Sequence, residues 1–227
     1  MTTRKPGTRR PSKRRASKAS LILNARTFPR ALAELCARDR DLARVVAEYG
    51  PPPLWRGLPG FPTLVRVILG QQVSTASARA AFERLTAAAS PLTPEKFLAL
   101  DDAALRSFGF SRQKVVYARD LARRIVEGDF SLDALEKMSD AEAHAELLRL
   151  KGVGPWTADI YLLMALGRAD AFPAADLALL VAAERVKRLP SRPTPEALTA
   201  LAERWRPLRA VAAHVLWHHY LHAPRRL

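Results

Sequence analysis

The chain is poor in cysteine, because its 227 residues include only Cys36. A single cysteine excludes an intramolecular disulfide and a cysteine-ligated zinc or iron–sulfur cluster. The sequence also lacks any apolar run that approaches the roughly 20 residues of a membrane-spanning helix, and its basic amino terminus lacks the apolar stretch of a secretory signal. We therefore expect a cytoplasmic protein with no membrane interaction and no cysteine-bound metal.

Acidic residues are scarce relative to basic ones: 22 Asp and Glu stand against 37 Lys and Arg, and the formal net charge is +15. Residues 1–20 contain eight of the basic residues and no acidic residue, which predicts a disordered basic tail. Residues 21–227 remain basic, and a chain that is 48% hydrophobic can bury a sizeable core. This balance favours nucleic acid as the partner over the alternatives, a solubility tail or an anionic membrane surface.

The body, residues 21–227, is predicted to be all-α, because no segment alternates with period two for long enough to form a strand. Capping signals and glycine stop signals alternate along it, with alanine-rich stretches between them. We expect about ten helices arranged in two lobes. The signals are Thr93-Pro94-Glu95, Ser139 with Glu142, Thr194-Pro195-Glu196, Gly50, Gly109, Gly128 and Gly167.

Residues 139–166 are predicted to form a hairpin of two helices. The turn between them reads Lys151-Gly152-Val153-Gly154, and Pro155 suits the first position of the second helix. Such a turn leaves backbone N–H groups free at the start of the second helix, where they can bind a phosphate. The pattern is neither a dinucleotide fingerprint nor a phosphate-binding P-loop, and an ordinary helical hairpin explains it equally well.

A second helix start follows at Asp176, which occupies an N-cap position after Phe172-Pro173. Read from the local pattern alone, this aspartate is only a cap that stabilises the helix by about 1 kcal/mol.

Three segments together resemble a known family. They are TLVRVILGQQVSTASAR at 63–79, LKGVGPWTADIYLLMALG with AFPAADLAL at 150–180, and ERWRPLRAVAAHVLW at 203–217. Their order and spacing are similar to those of the helix–hairpin–helix (HhH-GPD) DNA glycosylase superfamily, and most similar to the branch of 3-methyladenine DNA glycosylase II. The resemblance covers roughly residues 55–220 and implies a helix–hairpin–helix DNA-binding motif.

The resemblance implies a catalytic role for Asp176, which follows Trp156 by 20 residues as in that branch. Its carboxylate would stabilise the positive charge that develops on the sugar as the base leaves. Relatives such as endonuclease III have a lysine at the position that matches Trp156. That lysine forms a Schiff base with the sugar and cuts the strand. A tryptophan at this position implies base removal by water without lyase activity.

The same resemblance implies an aromatic base pocket that contains Trp156, Trp217 and Tyr161. The alternative for each is core packing; we favour the pocket for the two tryptophans, and Tyr161 is the weaker candidate. We expect Trp55 and Trp205 to be core residues. Two departures put the substrate range in doubt: Ile160 replaces a cleft tyrosine, and Ala175 replaces an acid that some relatives have. We also expect only helices where the best-known bacterial form has a β-rich N-terminal domain.

DNA contacts are implied for the hairpin and for one loop. The loop carries Gln71 and Gln72, one of which would fill the gap left by the extruded base, unless both only end a helix. The hairpin would contact phosphate through Lys151, Gly152, Val153, Gly154 and Thr157, and the backbone carbonyls of Leu148, Leu150 and Val153 match the family's monovalent-cation site.

The sequence therefore predicts a monomeric, monofunctional glycosylase that removes alkylated purines from damaged double-stranded DNA. It needs no cofactor beyond that structural cation. The alternatives are a DNA-binding protein without activity and a glycosylase for deaminated or etheno bases. Three further patterns have structural explanations that we favour: a salt bridge for Asp159, helix-end packing for His214, His218 and His222, and a solvated face for Arg112, Arg119 and Arg123.

Overall fold

The computed structural model describes residues 21–224, and the expected basic tail at 1–20 lies outside this range. Within it the chain is helical, as predicted, with thirteen α-helices and one short 3₁₀ turn at Glu203–Trp205. None of these helices is long and apolar enough to cross a membrane. The helices are α1 (Phe28–Arg38), α2 (Arg40–Tyr49), α3 (Phe61–Gly70), α4 (Thr75–Ala88), α5 (Pro94–Ala99), α6 (Asp102–Ser107), α7 (Arg112–Val126), α8 (Leu132–Lys137), α9 (Asp140–Leu148), α10 (Pro155–Met164), α11 (Leu177–Val186), α12 (Pro195–Ala202) and α13 (Arg209–His222).

Side-chain caps start most of these helices. At α9 the predicted capping box is present, since Ser139 accepts from the N–H of Glu142 while the Glu142 carboxylate accepts from the N–H of Ser139. The expectation of about ten helices was too low because α5, α6 and α8 have only six residues each. Helices this short contain too few turns to produce a clear hydrophobic period.

The helices form two groups around one continuous hydrophobic core. The first and last parts of the chain make one lobe, in which α13 packs on α1, α2 and α11. The middle of the chain makes the other, in which α7 packs on α3, α5 and α6. The apolar helix α10 contacts α3 and α9, and six of its ten residues are buried. This placement brings the hairpin, the end of α3 and the start of α11 into one region.

The terminal lobe is fixed by a buried polar cluster. The Asp39 carboxylate accepts from Nζ of Lys187 at 2.5 and 2.6 Å and from Nε1 of Trp205 at 2.8 Å. Trp205 is only 1% exposed, which agrees with its expected place in the core. The donors of this cluster are paired with the Asp39 carboxylate, as buried polar groups require. Since the three residues lie on different elements, the cluster ties α2 to α11 and to the chain before α13.

Candidate active site and DNA interface

The predicted hairpin consists of α9, a turn over 149–154, and α10. Gly152 has φ +78°, and a Cβ atom at this position would lie 2.0 Å from the ring of Tyr117. The N–H of Val153 donates to the carbonyl of Leu150 at 3.1 Å, and the Val153 side chain is buried. Gly152 is therefore required twice, once for the left-handed backbone and once for the close approach of α7.

The start of α10 offers backbone donors to solvent. Gly154 is the N-cap and supplies no side-chain cap, and Pro155 follows at the first position. The N–H groups of the first turn, those of Trp156 and Thr157, therefore have no capping side chain. Lys151 is exposed at the turn. An anion such as a DNA phosphate fits the charge and the donors of this surface.

The two loop glutamines have different environments. Nε2 of Gln71 donates to the carbonyl of Gly152 and to Oγ1 of Thr157, each at 2.9 Å, so this side chain points into the protein and ties α3 to the hairpin. Gln72 is exposed and has φ +56°. On the other side of this turn, Nζ of Lys114 donates to the carbonyls of Leu69 at 2.7 Å and Gln71 at 2.8 Å. Of the two glutamines, only Gln72 presents its side chain to solvent in this supported turn.

The Asp176 carboxylate is held by three N–H donors. Oδ2 accepts from Nε1 of Trp156 at 3.0 Å, and Oδ1 accepts from Nε1 of Trp217 at 3.0 Å and from the backbone N–H of Leu179 at 3.1 Å. The last bond is the N-cap of α11 that the local pattern predicts. Asp176 is therefore a cap and also the meeting point of α10, α11 and α13.

An aromatic cluster adjoins this carboxylate. Trp156 and Trp217 are partly exposed, and their indole edges are directed to Asp176. Trp55, which the sequence analysis assigned to the core, is also partly exposed; its ring lies 6.3 Å from that of Trp217 at an interplanar angle of 80°. The preceding prolines indicate an extended loop, but no local pattern indicates that this loop meets α13.

Tyr161 does not lie with these rings at the surface. It is fully buried, and its hydroxyl accepts from the backbone N–H of Gly60 at 3.0 Å. Burial raises the pKa of this hydroxyl to about 12. The structure thus gives Tyr161 a core position that anchors the loop before α3, in place of the base-pocket position that the resemblance implied.

Asp159 lies one turn after Trp156 on α10 and is half-buried between helices. Its Oδ1 is 3.5 Å from Nε2 of His144 on α9. Burial raises the pKa of Asp159 to about 7, which the positive charge of Arg209 opposes, and burial lowers the pKa of His144. His144 and Asp159 are therefore in close contact, as expected, but burial opposes the charged form of each.

The histidines of α13 have structural partners. Nδ1 of His214 donates to the carbonyl of Ala210 at 2.7 Å, Nε2 of His218 to that of Tyr49 at 3.1 Å, and Nδ1 of His222 to that of His218 at 2.8 Å. In the part of the chain that the structure describes, no three His, Cys, Asp or Glu residues converge in a way that could hold a metal.

The arginines that were expected to share a solvated face of α7 have different environments. Arg119 donates to the carboxylate of Asp102 and to the carbonyls of Leu98 and Leu100, so it is structural. Arg112 and Arg123 are exposed.

Comparison with known proteins places this geometry in a family. The model of the HhH-GPD superfamily of base excision DNA repair proteins matches residues 65–207. DNA-3-methyladenine glycosylase 1 of Schizosaccharomyces pombe is 29% identical over 182 residues, which are 78% of this chain and 80% of that protein. A Bacillus subtilis relative is 30% identical over 78% of this chain, and the chain spans 64% of its length.

Solved structures agree. The 3-methyladenine DNA glycosylase of Schizosaccharomyces pombe in complex with abasic DNA superimposes with a TM-score of 0.81 at 27% identity, covering 87% of this chain and all of that one. A 3-methyladenine DNA-glycosylase from Archaeoglobus fulgidus has a TM-score of 0.73 at 25% identity, covering 86% of this chain and 70% of that one. The chain belongs to the HhH-GPD superfamily of base excision DNA repair proteins.

Proposed function

We propose that this protein is a monofunctional DNA glycosylase that hydrolyses the N-glycosidic bond of alkylated purines in double-stranded DNA. The observation that carries the proposal is the Asp176 carboxylate, held by two indole N–H groups beside a partly exposed aromatic cluster. The names of the relatives, DNA-3-methyladenine glycosylases, support the same substrate class. In this role the protein acts as a monomer on cellular DNA in the cytoplasm.

The hydrogen bonds of Asp176 fit an electrostatic role. A carboxylate has about four acceptor positions, and three are used by Trp156, Trp217 and Leu179. Held in place by three N–H donors, the carboxylate would stabilise the cationic sugar as the base departs. The fourth position can orient the attacking water. An alkylated purine already carries positive charge, so its departure needs no proton from the enzyme.

The residue at position 156 supports hydrolysis without strand cleavage. A lyase step requires an amine that attacks the sugar and forms a Schiff base, and an indole has no such nucleophile. Lys151 is the nearest lysine in sequence, but it lies in the exposed turn before α10 and serves here as a phosphate contact. The expected product is therefore an intact strand with an abasic site.

Two surfaces would hold the DNA. The hairpin turn contacts backbone phosphate through Lys151 and through the N–H groups of Gly152, Gly154 and Thr157. Gln72 enters the stack in place of the extruded nucleotide, because its side chain is exposed and Gln71 and Lys114 support the turn behind it.

The hairpin also suits a monovalent cation. The carbonyls of Leu148, Leu150 and Val153 lie within one tight turn, and carbonyl oxygen is a ligand that hard cations prefer. The Leu150 carbonyl accepts one bond, from Val153, and has a second lone pair for an ion. Such an ion would offset the charge of a phosphate bound at the start of α10.

The test is incubation with duplex DNA that contains N7-methylguanine, followed by analysis of released bases and of strand breaks before and after hot alkali. We expect free 7-methylguanine and breaks only after alkali. Breaks without alkali, or a borohydride-trapped protein–DNA adduct, would contradict the monofunctional mechanism. Binding with no base released from methylated, deaminated or etheno-modified DNA would instead support a DNA-binding protein without activity.

A further inference from the structure

We propose that Trp55 forms a third wall of the base cleft and stacks on the extruded base, favouring bases that carry a positive charge. This inference rests on the proposed function, because it assigns a substrate-selecting role at the same site. Trp55 lies in the segment between α2 and α3, outside the three segments on which the family resemblance rests.

The first argument is position. The Trp55 ring meets the Trp217 ring edge to face, with centroids 6.3 Å apart, and Trp217 donates directly to Asp176. Only the Trp217 ring separates Trp55 from Asp176. If the Asp176 carboxylate faces the sugar, Trp55 can therefore reach the base attached to that sugar. Trp55 is also partly exposed, so part of its surface remains open to a ligand.

The second argument is the use of its two faces. One face is covered, because the imidazole of His214 stacks on it at 5.6 Å with an interplanar angle of only 19°. The Trp55 ring also contacts that of His218, with centroids 6.4 Å apart at an angle of 51°. Because Trp55 is nevertheless partly exposed, the open part of its ring can serve as a platform for stacking. Stacking of a nucleobase on such a ring is a common source of binding energy and does not depend on base sequence.

The third argument is charge. Burial lowers the pKa of His214 to about 4, so the imidazole behind Trp55 is uncharged at neutral pH. A cationic base above Trp55 therefore meets no positive charge from this ring, while Asp176 supplies a negative charge nearby. An indole face attracts a cation more strongly than a phenyl face does, and an aliphatic side chain lacks this attraction.

The fourth argument is rigidity. The loop that carries Trp55 is held on both sides, since Nη1 of Arg56 donates to the carbonyl of Leu23 at 2.8 Å and the N–H of Gly57 donates to that of Met164 at 2.9 Å. These bonds fix the backbone next to the indole. A fixed ring loses little conformational entropy when a base stacks on it.

The test compares Trp55→Phe and Trp55→Leu with the unchanged protein in single-turnover release of 7-methylguanine from duplex DNA. We expect a loss of about threefold for the phenyl ring and about tenfold for leucine. Affinity for DNA with a tetrahydrofuran abasic analogue, which has no base to stack, should stay within about twofold. Leu58→Ala is the matched control, because Leu58 is 83% exposed in the same loop, and it should change neither value.

Equal release rates in all three proteins would overturn the inference. So would a loss of abasic-DNA affinity in step with the loss of rate, because that result indicates a structural role. If leucine prevents folding, the phenylalanine variant still decides the question through its rate at unchanged abasic affinity. Failure of the unchanged protein to release any base contradicts the proposed function itself and is thereby distinguished from failure at Trp55.

Discussion

The indole N–H of Trp217 donates to Oδ1 of Asp176 over 3.0 Å, across 41 residues of sequence. This bond joins the third turn of α13 to the residue just before α11, so the orientation of the carboxylate depends on how these two helices pack in the terminal lobe. Trp156 makes the corresponding bond to Oδ2 from α10. The carboxylate is therefore fixed in orientation by two side chains of the partly exposed aromatic cluster.

Replacement of Asp176 by asparagine should reduce excision of 7-methylguanine by at least about a hundredfold. The amide has no negative charge to stabilise the sugar cation, and its NH₂ group opposes an indole N–H, which leaves a donor unpaired. DNA affinity should be kept or increased, because a negative charge near phosphate is removed. Single-turnover kinetics and fluorescence anisotropy measure the two effects.

The control for this variant is Asp101→Asn. Asp101 is also an N-cap, since it accepts from the N–H of Ala104 at 2.7 Å, but it caps the short helix α6. It should alter stability slightly and excision not at all. An Asp176→Asn protein with the rate of the unchanged chain would show that the carboxylate is only a cap.

Gly152→Ala should destabilise the fold by about 3 kcal/mol and weaken DNA binding. The added Cβ would lie 2.0 Å from the Tyr117 ring, in a residue with φ +78°. Urea unfolding gives the free energy. A Tyr117→Ala background should recover part of the loss, because it removes the clash but not the backbone strain.

Gly154→Ala is the matched substitution. No heavy atom lies within 4 Å of a Cβ added at Gly154, and its φ is −96°. The free energy of unfolding of this variant should lie within about 0.5 kcal/mol of that of the unchanged protein. Equal losses at both glycines would mean that Tyr117 does not constrain the turn.

The two loop glutamines should give opposite phenotypes. Gln71→Leu removes the donor to Gly152 and Thr157, so we expect a loss of about 1–3 kcal/mol in the free energy of unfolding. Gln72→Ala should leave unfolding unchanged and lower the excision rate, because nothing fills the space of the extruded base. Thermal melting and base extrusion followed with 2-aminopurine fluorescence separate the two effects. Gln72→Ala with normal extrusion would assign the wedge to another residue.

Asp159→Asn should raise the free energy of unfolding relative to the unchanged protein, and this gain should be larger at pH 8 than at pH 5 by on the order of 2 kcal/mol. Burial raises the pKa of Asp159 from 3.8 to about 7, against the effect of Arg209. Between these values the folded state holds a proton that the unfolded chain has lost, so stability falls as pH rises from about 4 to 7. Asparagine does not titrate, and its advantage grows across this window.

His144 makes the stability of the protein depend on pH in the opposite direction. Burial lowers its pKa below 6.5, so its contribution to stability is lost as pH falls through that lowered pKa. Urea unfolding at several pH values, with His144→Gln as a second variant, separates the two groups. Exposed Asp129→Asn is the control. A constant difference between Asp159→Asn and the unchanged chain at all pH values would contradict the raised pKa.

The sequence predicted the features that depend on neighbouring residues. The capping box at Ser139, the hairpin turn and the N-cap at Asp176 are all local, and all three are present. Short helices were missed because six residues carry no reliable period.

The site was less predictable because its contacts join distant segments. Gln71 and Gln72 are adjacent and identical in type, and only the position of the hairpin makes one internal and the other exposed. Tyr161 and Trp55 exchange their expected environments for the same reason. A tyrosine on an apolar helix and a tryptophan in a proline-rich loop give no local signal of which one meets α13.

The position of α13 at the end of the described chain has a consequence for biosynthesis. Its apolar face covers α1, α2 and α11, and it also carries Trp217. While the chain leaves the ribosome, α1 and α2 emerge first and lack their contacts with α13 until that helix follows. The nascent protein therefore exposes this apolar surface until α13 has been made, and only then does the Asp176 carboxylate receive its bond from Trp217.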